Sequence, residues 1–243
     1  MNCVLSSVYQ GSELEEKTRN IFNAFICDKT SLDEIFSKQF GVSYKLIFGK
    51  NNSKSVLYNL LGQYYKNEYF IKRAFTKLLL LKPNLIVFTE LPINDCRADI
   101  VSVNGKSITY EIKTKYDSFI RASKQLNTYS YVFEYVYIIC PNEKANEAKK
   151  IIPDYCGIYS YDDKRVTNRF RCIKKATISP NLDSKRQLDV FIKNDTKKIF
   201  GTTDHDLILK KYNSRKINFI FKKYIKDRFS SKSVNFKEEC NLL

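Results

Sequence analysis

The chain has 243 residues, 43% hydrophobic and 14% aromatic, enough apolar material to build a core and to argue against a disordered polyelectrolyte. Forty-two Lys and Arg against 26 Asp and Glu leave a formal charge of +16, which points to a polyanionic partner, nucleic acid before membrane. Seven cysteines form no C-x-x-C pair and His205 is the single histidine, so a zinc site is disfavoured and reduced thiols are expected.

No secretory signal and no apolar run of membrane-spanning length stand out, so the expected location is the cytoplasm. Residues 12–27 open with Ser-Glu-Leu-Glu, a capping-box pattern, and carry Ile21, Phe22 and Phe25 at helical spacing. Ser31 and Glu34 repeat the pattern for a second short helix ending near Gly41. Residues 42–48 read as a strand, and 1–55 as an N-terminal helical appendage. Apolar positions between Val56 and Leu81 predict one long helix, or two broken near Lys66-Asn67, ended by Pro83. Residues 85–91 read as a buried strand with Glu90 at its end, a candidate third acid.

Two strands follow, 98–103 and 107–114, rich in Ile, Val, Thr and Tyr around Asn104-Gly105. Glu111 and Lys113 share a strand face because side chains alternate. A two-residue turn pairs positions summing to 209 and sends Asp99 to the opposite face; a three-residue loop makes the sum even and joins Asp99 to Glu111. The functional reading needs the even register, and a type I turn with a glycine bulge is expected. Two carboxylates about 4 Å apart repel by roughly 4 kcal/mol at an effective dielectric near 20. A divalent cation held by Asp99, Glu111 and the backbone carbonyl of Ile112, with Glu90 as a further ligand, relieves that repulsion. Lys113 is then placed to position an attacking water. Asp117 or Ser118 opens a helix running to about Phe133, on which Gln125 and Tyr129 share a face. Arg121, one turn earlier, is within reach of a phosphate or of Asp117.

The ordered set Arg-Ala-Asp, Glu-Ile-Lys and Gln-x-x-x-Tyr resembles the PD-(D/E)XK nuclease superfamily over about residues 65–160, in particular its RecB-like branch and small bacterial members of it. The resemblance implies a restriction-endonuclease-like α/β core with a mixed central sheet flanked by helices. It implies Mg²⁺, with Mn²⁺ an alternative, and DNA as the favoured substrate. It also implies a first-helix carboxylate at Glu68 and bracing of the site by Gln125 and Tyr129. The "PD" dipeptide is absent, since Ala98 precedes Asp99.

Residues 134–140 read as a strand, 142–152 as a helix and 157–161 as an edge strand, which closes a core spanning 56–161. Residues 162–185 are polar with basic clusters, and 187–200 look helical. Residues 207–232 hold nine Lys or Arg against Asp227 alone, interleaved with apolar positions, as in helices with an apolar stripe and a basic outer face. The basic C-terminal region is thus 162–243. Candidate phosphate contacts are Arg97, Lys115, Arg121, Lys222, Lys223 and Lys226. The leading expectation is an Mg²⁺-dependent deoxyribonuclease, endonuclease before exonuclease. The first rival is a non-cleaving nucleic-acid-binding or adaptor protein that keeps the nuclease fold. The second is a nuclease toxin or defence effector restrained by a protein partner.

Overall fold

The computed structural model describes residues 5, 8–27, 30–162 and 169–241, with side chains to residue 231. The chain folds as two compact units that divide after Ile71. Among the described residues no helix is long and apolar enough to cross a membrane.

The first unit contains α1 (Gly11–Cys27), α2 (Leu32–Phe40), α3 (Tyr44–Phe48) and α4 (Ser53–Gln63). The Ser31 hydroxyl accepts from Glu34 N while the Glu34 carboxylate accepts from Ser31 N, so both donors at the start of α2 are satisfied. Gly41, at φ 71°, ends α2 in the left-handed conformation that suits glycine. Of residues 42–48, expected as a strand, 44–48 form α3 instead. A pair four apart shares a face in a strand and in a helix alike, so the spacing of Tyr44 and Phe48 did not distinguish them. Packing does: the Tyr44 and Phe48 rings both lie against Phe36, at 5.3 and 5.2 Å between centroids. The apolar stretch from Val56 breaks where Asn67 is buried and its side chain accepts from Phe70 N. There α5 (Glu68–Leu80) begins; its first turn belongs to the first unit and its remainder, from Lys72, to the second.

The second unit is a mixed sheet flanked by helices. Its strands are β1 (Ile86–Ile93), β2 (Cys96–Asn104), β3 (Lys106–Ile112), β4 (Tyr135–Pro141), β5 (Gly157–Tyr161) and β6 (Phe170–Lys174), in that spatial order. The first three run antiparallel, β3, β4 and β5 run parallel, and β6 returns antiparallel. Helix α6 (Ala122–Ser130) joins β3 to β4, and a short turn followed by α7 (Ala145–Ile151) joins β4 to β5, as parallel neighbours require. The strand at 157–161, expected at the sheet's edge, lies inside it because β6 pairs beyond it. The helix expected over 187–200 is two, α8 (Ser184–Leu188) and α9 (Lys193–Phe200), parted where Phe191 turns into the core. Helices α10 (His205–Lys211) and α11 (Ser214–Asn241) follow.

On one sheet face Tyr110, Tyr137 and Tyr159 form an aromatic layer with Phe75 of α5, whose ring is 5.0 Å from Tyr110 and 5.1 Å from Tyr159. The other face buries Val101, Val136 and Ile138 in a core with Leu126 and Tyr129 of α6 and Phe221 and Ile225 of α11. The β2–β3 register is the even one: Ile100 faces Tyr110, and Asn104 faces Lys106 around Gly105 at φ 72°.

Gly157 leaves no room for a side chain, because a β-carbon there would run into the Tyr137 ring and lie 2.7 Å from the Ala176 amide. Gly157→Ala is therefore expected to lower unfolding free energy by about 1–3 kcal/mol, measured by urea denaturation. An unchanged midpoint would show that the Tyr137 ring yields freely.

Candidate functional site

The strand registers build a row of carboxylates across the sheet. Thr89 faces Ile100 and Leu91 faces Ala98, which sets Glu90 against Asp99. Continuing the β2–β3 register sets Asp99 beside Glu111. Asp99 and Glu111 are buried, the latter only 2% exposed. Burying ionised carboxylates is costly unless they are paired and hydrogen-bonded, and both are.

Asp99 Oδ2 accepts from the amide of Ile112 at 2.7 Å, while Lys72 Nζ on α5 lies 3.4 Å from Asp99 Oδ1 and forms an ion pair with Glu90. From the solvent side Arg97 Nε meets the other oxygen of Glu90. Glu90 reaches these partners from a backbone at φ 62°, a left-handed conformation that costs an L residue about 1–2 kcal/mol. Glu111 Oε1 accepts from Lys113 Nζ at 2.8 Å, and that ammonium also donates to Gln125 Oε1 at 3.0 Å. The Tyr129 hydroxyl lies 3.0 Å from Glu111 Oε2 and 2.9 Å from the Arg97 carbonyl, one proton between two acceptors. Burial, reinforced by the charges of Glu111 and Asp99, pushes the Tyr129 phenol well above its ordinary range.

Asp99, Glu111, Lys113, Gln125 and Tyr129 thus come together, with Glu90 joined through Lys72. The amide of Ile112 also enters the network, through Asp99. Glu68 is exposed in the first turn of α5 and belongs to the first unit. Asp117 caps a loop, accepting from Thr114 N and Oγ1 at 2.8 and 2.6 Å, and α6 begins later than expected, after Arg121. Lys115 and Arg121 are exposed on that loop, and Lys223 and Lys226 on α11. Lys222 is differently placed: its ammonium donates to Glu134 Oε1 and to the Gly105 carbonyl, both at 2.8 Å, fastening α11 to the sheet. Lys72 carries no signal in the sequence, since it differs from any other lysine on an amphipathic helix only through the partners the fold brings to it. Arg215 and Lys216, outside the contacts expected from the sequence, share the outer face of α11 with Lys223 and Lys226, as their spacing allows.

Each carboxylate of the row therefore has a cation of the chain at ion-pair distance: Lys72 and Arg97 for Glu90, Lys72 for Asp99, Lys113 for Glu111. Fold and network define a mixed α/β protein with a buried, ion-paired polar cluster and a basic helical C-terminal part. The family described as Bacteriophage P4 protein cII matches residues 62–242, about three quarters of the chain, and the chain belongs to that family. Protein cII of Enterobacteria phage P4 is 28% identical over 105 residues, which cover 43% of this chain and 40% of that protein. The match thus spans well under half the length of this curated relative. A solved protein of unknown function from Silicibacter pomeroyi is 14% identical over 52% of this chain and 84% of its own, with a TM-score of 0.37, too slight a likeness to carry an argument.

Family membership corrects the reading drawn from the PD-(D/E)XK resemblance. The chain is a member of the P4 cII family, and the expectations of a nuclease, of hydrolase activity on DNA and of a catalytic Mg²⁺ or Mn²⁺ centre are withdrawn with the resemblance that supplied them. The physical reason lies in how little the motifs specify. Arg-Ala-Asp, Glu-Ile-Lys and Gln-x-x-x-Tyr describe equally well a buried ion-pair network in which the glutamine holds the lysine and the tyrosine holds the glutamate.

Removing one member of such a network leaves a buried polar group short of a partner. Tyr129→Phe is expected to keep the fold and lose about 1–3 kcal/mol of stability, read by urea denaturation at neutral pH. A wild-type midpoint would mean that Glu111 is satisfied without the tyrosine.

Proposed function

We propose that this chain binds nucleic acid, DNA before RNA, without cleaving it. Its sheet serves as a scaffold of restriction-endonuclease-like type, and its basic surface is the working part. The observation that carries this reading is the outer face of α11. Its inner face buries Ile217, Phe221, Tyr224 and Ile225. Its outer face carries Arg215, Lys216, Lys223 and Lys226, all exposed, around the 60%-exposed ring of Phe219. From Arg215 to Lys226 the stripe runs about 16 Å at 1.5 Å per residue, long enough to meet several phosphates of one groove. An α-helix fits the major groove of B-form DNA, and cations along it release counterions from the phosphates they neutralise.

The stripe is held in place by the buried side of the same helix. Asn218 and Lys222 both donate to Glu134 Oε1 at 2.8 Å, and Gln187 donates to Asn218. Glu134 also accepts from the Ser107 amide. Although burial opposes ionisation of Glu134, its bonds to Lys222, Ser107 and Asn218 hold its carboxyl below the usual range. The helix is thus clamped to the sheet at its polar positions as well as its apolar ones.

Fluorescence anisotropy with duplex DNA, single-stranded DNA and RNA over a range of salt tests the proposal. Replacing Arg215, Lys216, Lys223 and Lys226 together by alanine is expected to weaken binding tenfold or more at low salt. The salt slope should flatten by about 0.9 for each duplex phosphate that the variant no longer neutralises. Binding as tight and as salt-dependent as wild type in that variant would overturn the assignment of the interface.

A further inference from the structure

A second surface of the same unit points to how the nucleic acid is handled once bound, and it rests on the binding reading above. Between β3 and α6 the chain forms a loop held from inside at two points. Thr114 is buried and bridges to Asp117 through its amide and hydroxyl. Tyr116 N donates to Thr114 Oγ1 at 3.2 Å. Phe119 is buried in the core with Lys144 over its ring, and the Lys144 ammonium also donates to the Asp117 carbonyl. This bracing fixes the backbone and turns the next side chains outward.

What it displays is unusual for a solvated loop. Ile120, 89% exposed, directly follows buried Phe119, and Tyr116, 49% exposed, lies two residues after buried Thr114. Lys115 lies over the Tyr116 ring at 4.8 Å, and Arg121 follows Ile120. Arg121 is close enough to Lys124 for their charges to oppose each other. The loop's one acid, Asp117, turns its carboxylate inward to Thr114. A single exposed apolar side chain needs no explanation. A braced loop that holds an aliphatic tip between outward cations is complementary to a phosphate-lined groove with an apolar interior.

We infer that the 114–121 loop is a wedge for duplex DNA: Ile120 enters between two base pairs while Lys115 and Arg121 hold the flanking phosphates. Aliphatic side chains used in this way unstack a base step and kink the duplex, and a preorganised loop loses little conformational freedom on binding.

The test uses the full chain and a duplex with 2-aminopurine at a flexible TA step, with the same labelled strand alone as a control. Wild type is expected to raise 2-aminopurine fluorescence several-fold on the duplex as the base unstacks. Ile120→Ala should abolish most of that rise while weakening affinity by less than about tenfold. The double variant Lys115→Ala, Arg121→Ala should weaken affinity and flatten the salt slope. A duplex bound by wild type with no rise would overturn the wedge and leave the binding reading standing. So would a rise that survives in Ile120→Ala, or a rise confined to the single strand. No binding to any duplex would overturn both.

Discussion

Glu111 imposes the constraint on which the second unit depends. It lies in the central antiparallel-to-parallel strand of the sheet, almost wholly buried, and an ionised carboxylate there is tolerable only if its charge and lone pairs are met locally. Lys113 comes from its own strand, Tyr129 from α6, and Gln125 keeps the lysine in place. Meeting those demands fixes the rotation of α6 and its height above the sheet. Asp99 extends the same logic to β2 and, through Lys72, to α5 and β1. One row of polar groups thus ties together three strands and two helices that apolar packing alone would allow to slide.

Much of this arrangement was legible in the sequence. The alternation of Glu111 and Lys113 and the turn at Asn104-Gly105 left two registers open; the even one, expected because a metal site required it, is the one the fold adopts, and it sets Asp99 beside Glu111. The four-residue spacing of Gln125 and Tyr129 put both on the face that meets it. The break at Lys66-Asn67 and the cap at Ser31 were legible because each is a local hydrogen-bond requirement. What escaped the sequence depends on distant partners. Strand β6 has a weak pattern of its own and is stabilised by pairing with β5. Helix α3 is decided by its packing on Phe36, and Lys72 becomes meaningful only once the fold carries it to Glu90 and Asp99.

The resemblance to nucleases failed for a related reason. A carboxylate pair on one sheet face has two physical solutions, a bound metal ion or cations supplied by the chain, and short motifs contain the same residue types in both. Membership of the P4 cII family decides against the first as a catalytic centre, and Lys72, Lys113 and Arg97 provide the second. With the carboxylate row assigned to the scaffold, the excess of basic residues is the feature left to account for. The structure divides these residues by role: Lys222 serves the fold, whereas Arg215, Lys216, Lys223 and Lys226 face outward.

Binding without cleavage is tested by reading affinity and the integrity of the bound strand together. End-labelled duplex DNA would be titrated with wild type and with Glu111→Gln, in EDTA and in Mg²⁺. Affinity would be read by anisotropy, and strand length from the same samples on a denaturing gel. Full-length strands are expected throughout, with wild-type affinities that agree between EDTA and Mg²⁺ at matched ionic strength. Glu111→Gln should bind as tightly as wild type wherever it remains folded. Strand scission that requires Mg²⁺ and disappears in Glu111→Gln would show instead that the carboxylate row is catalytic.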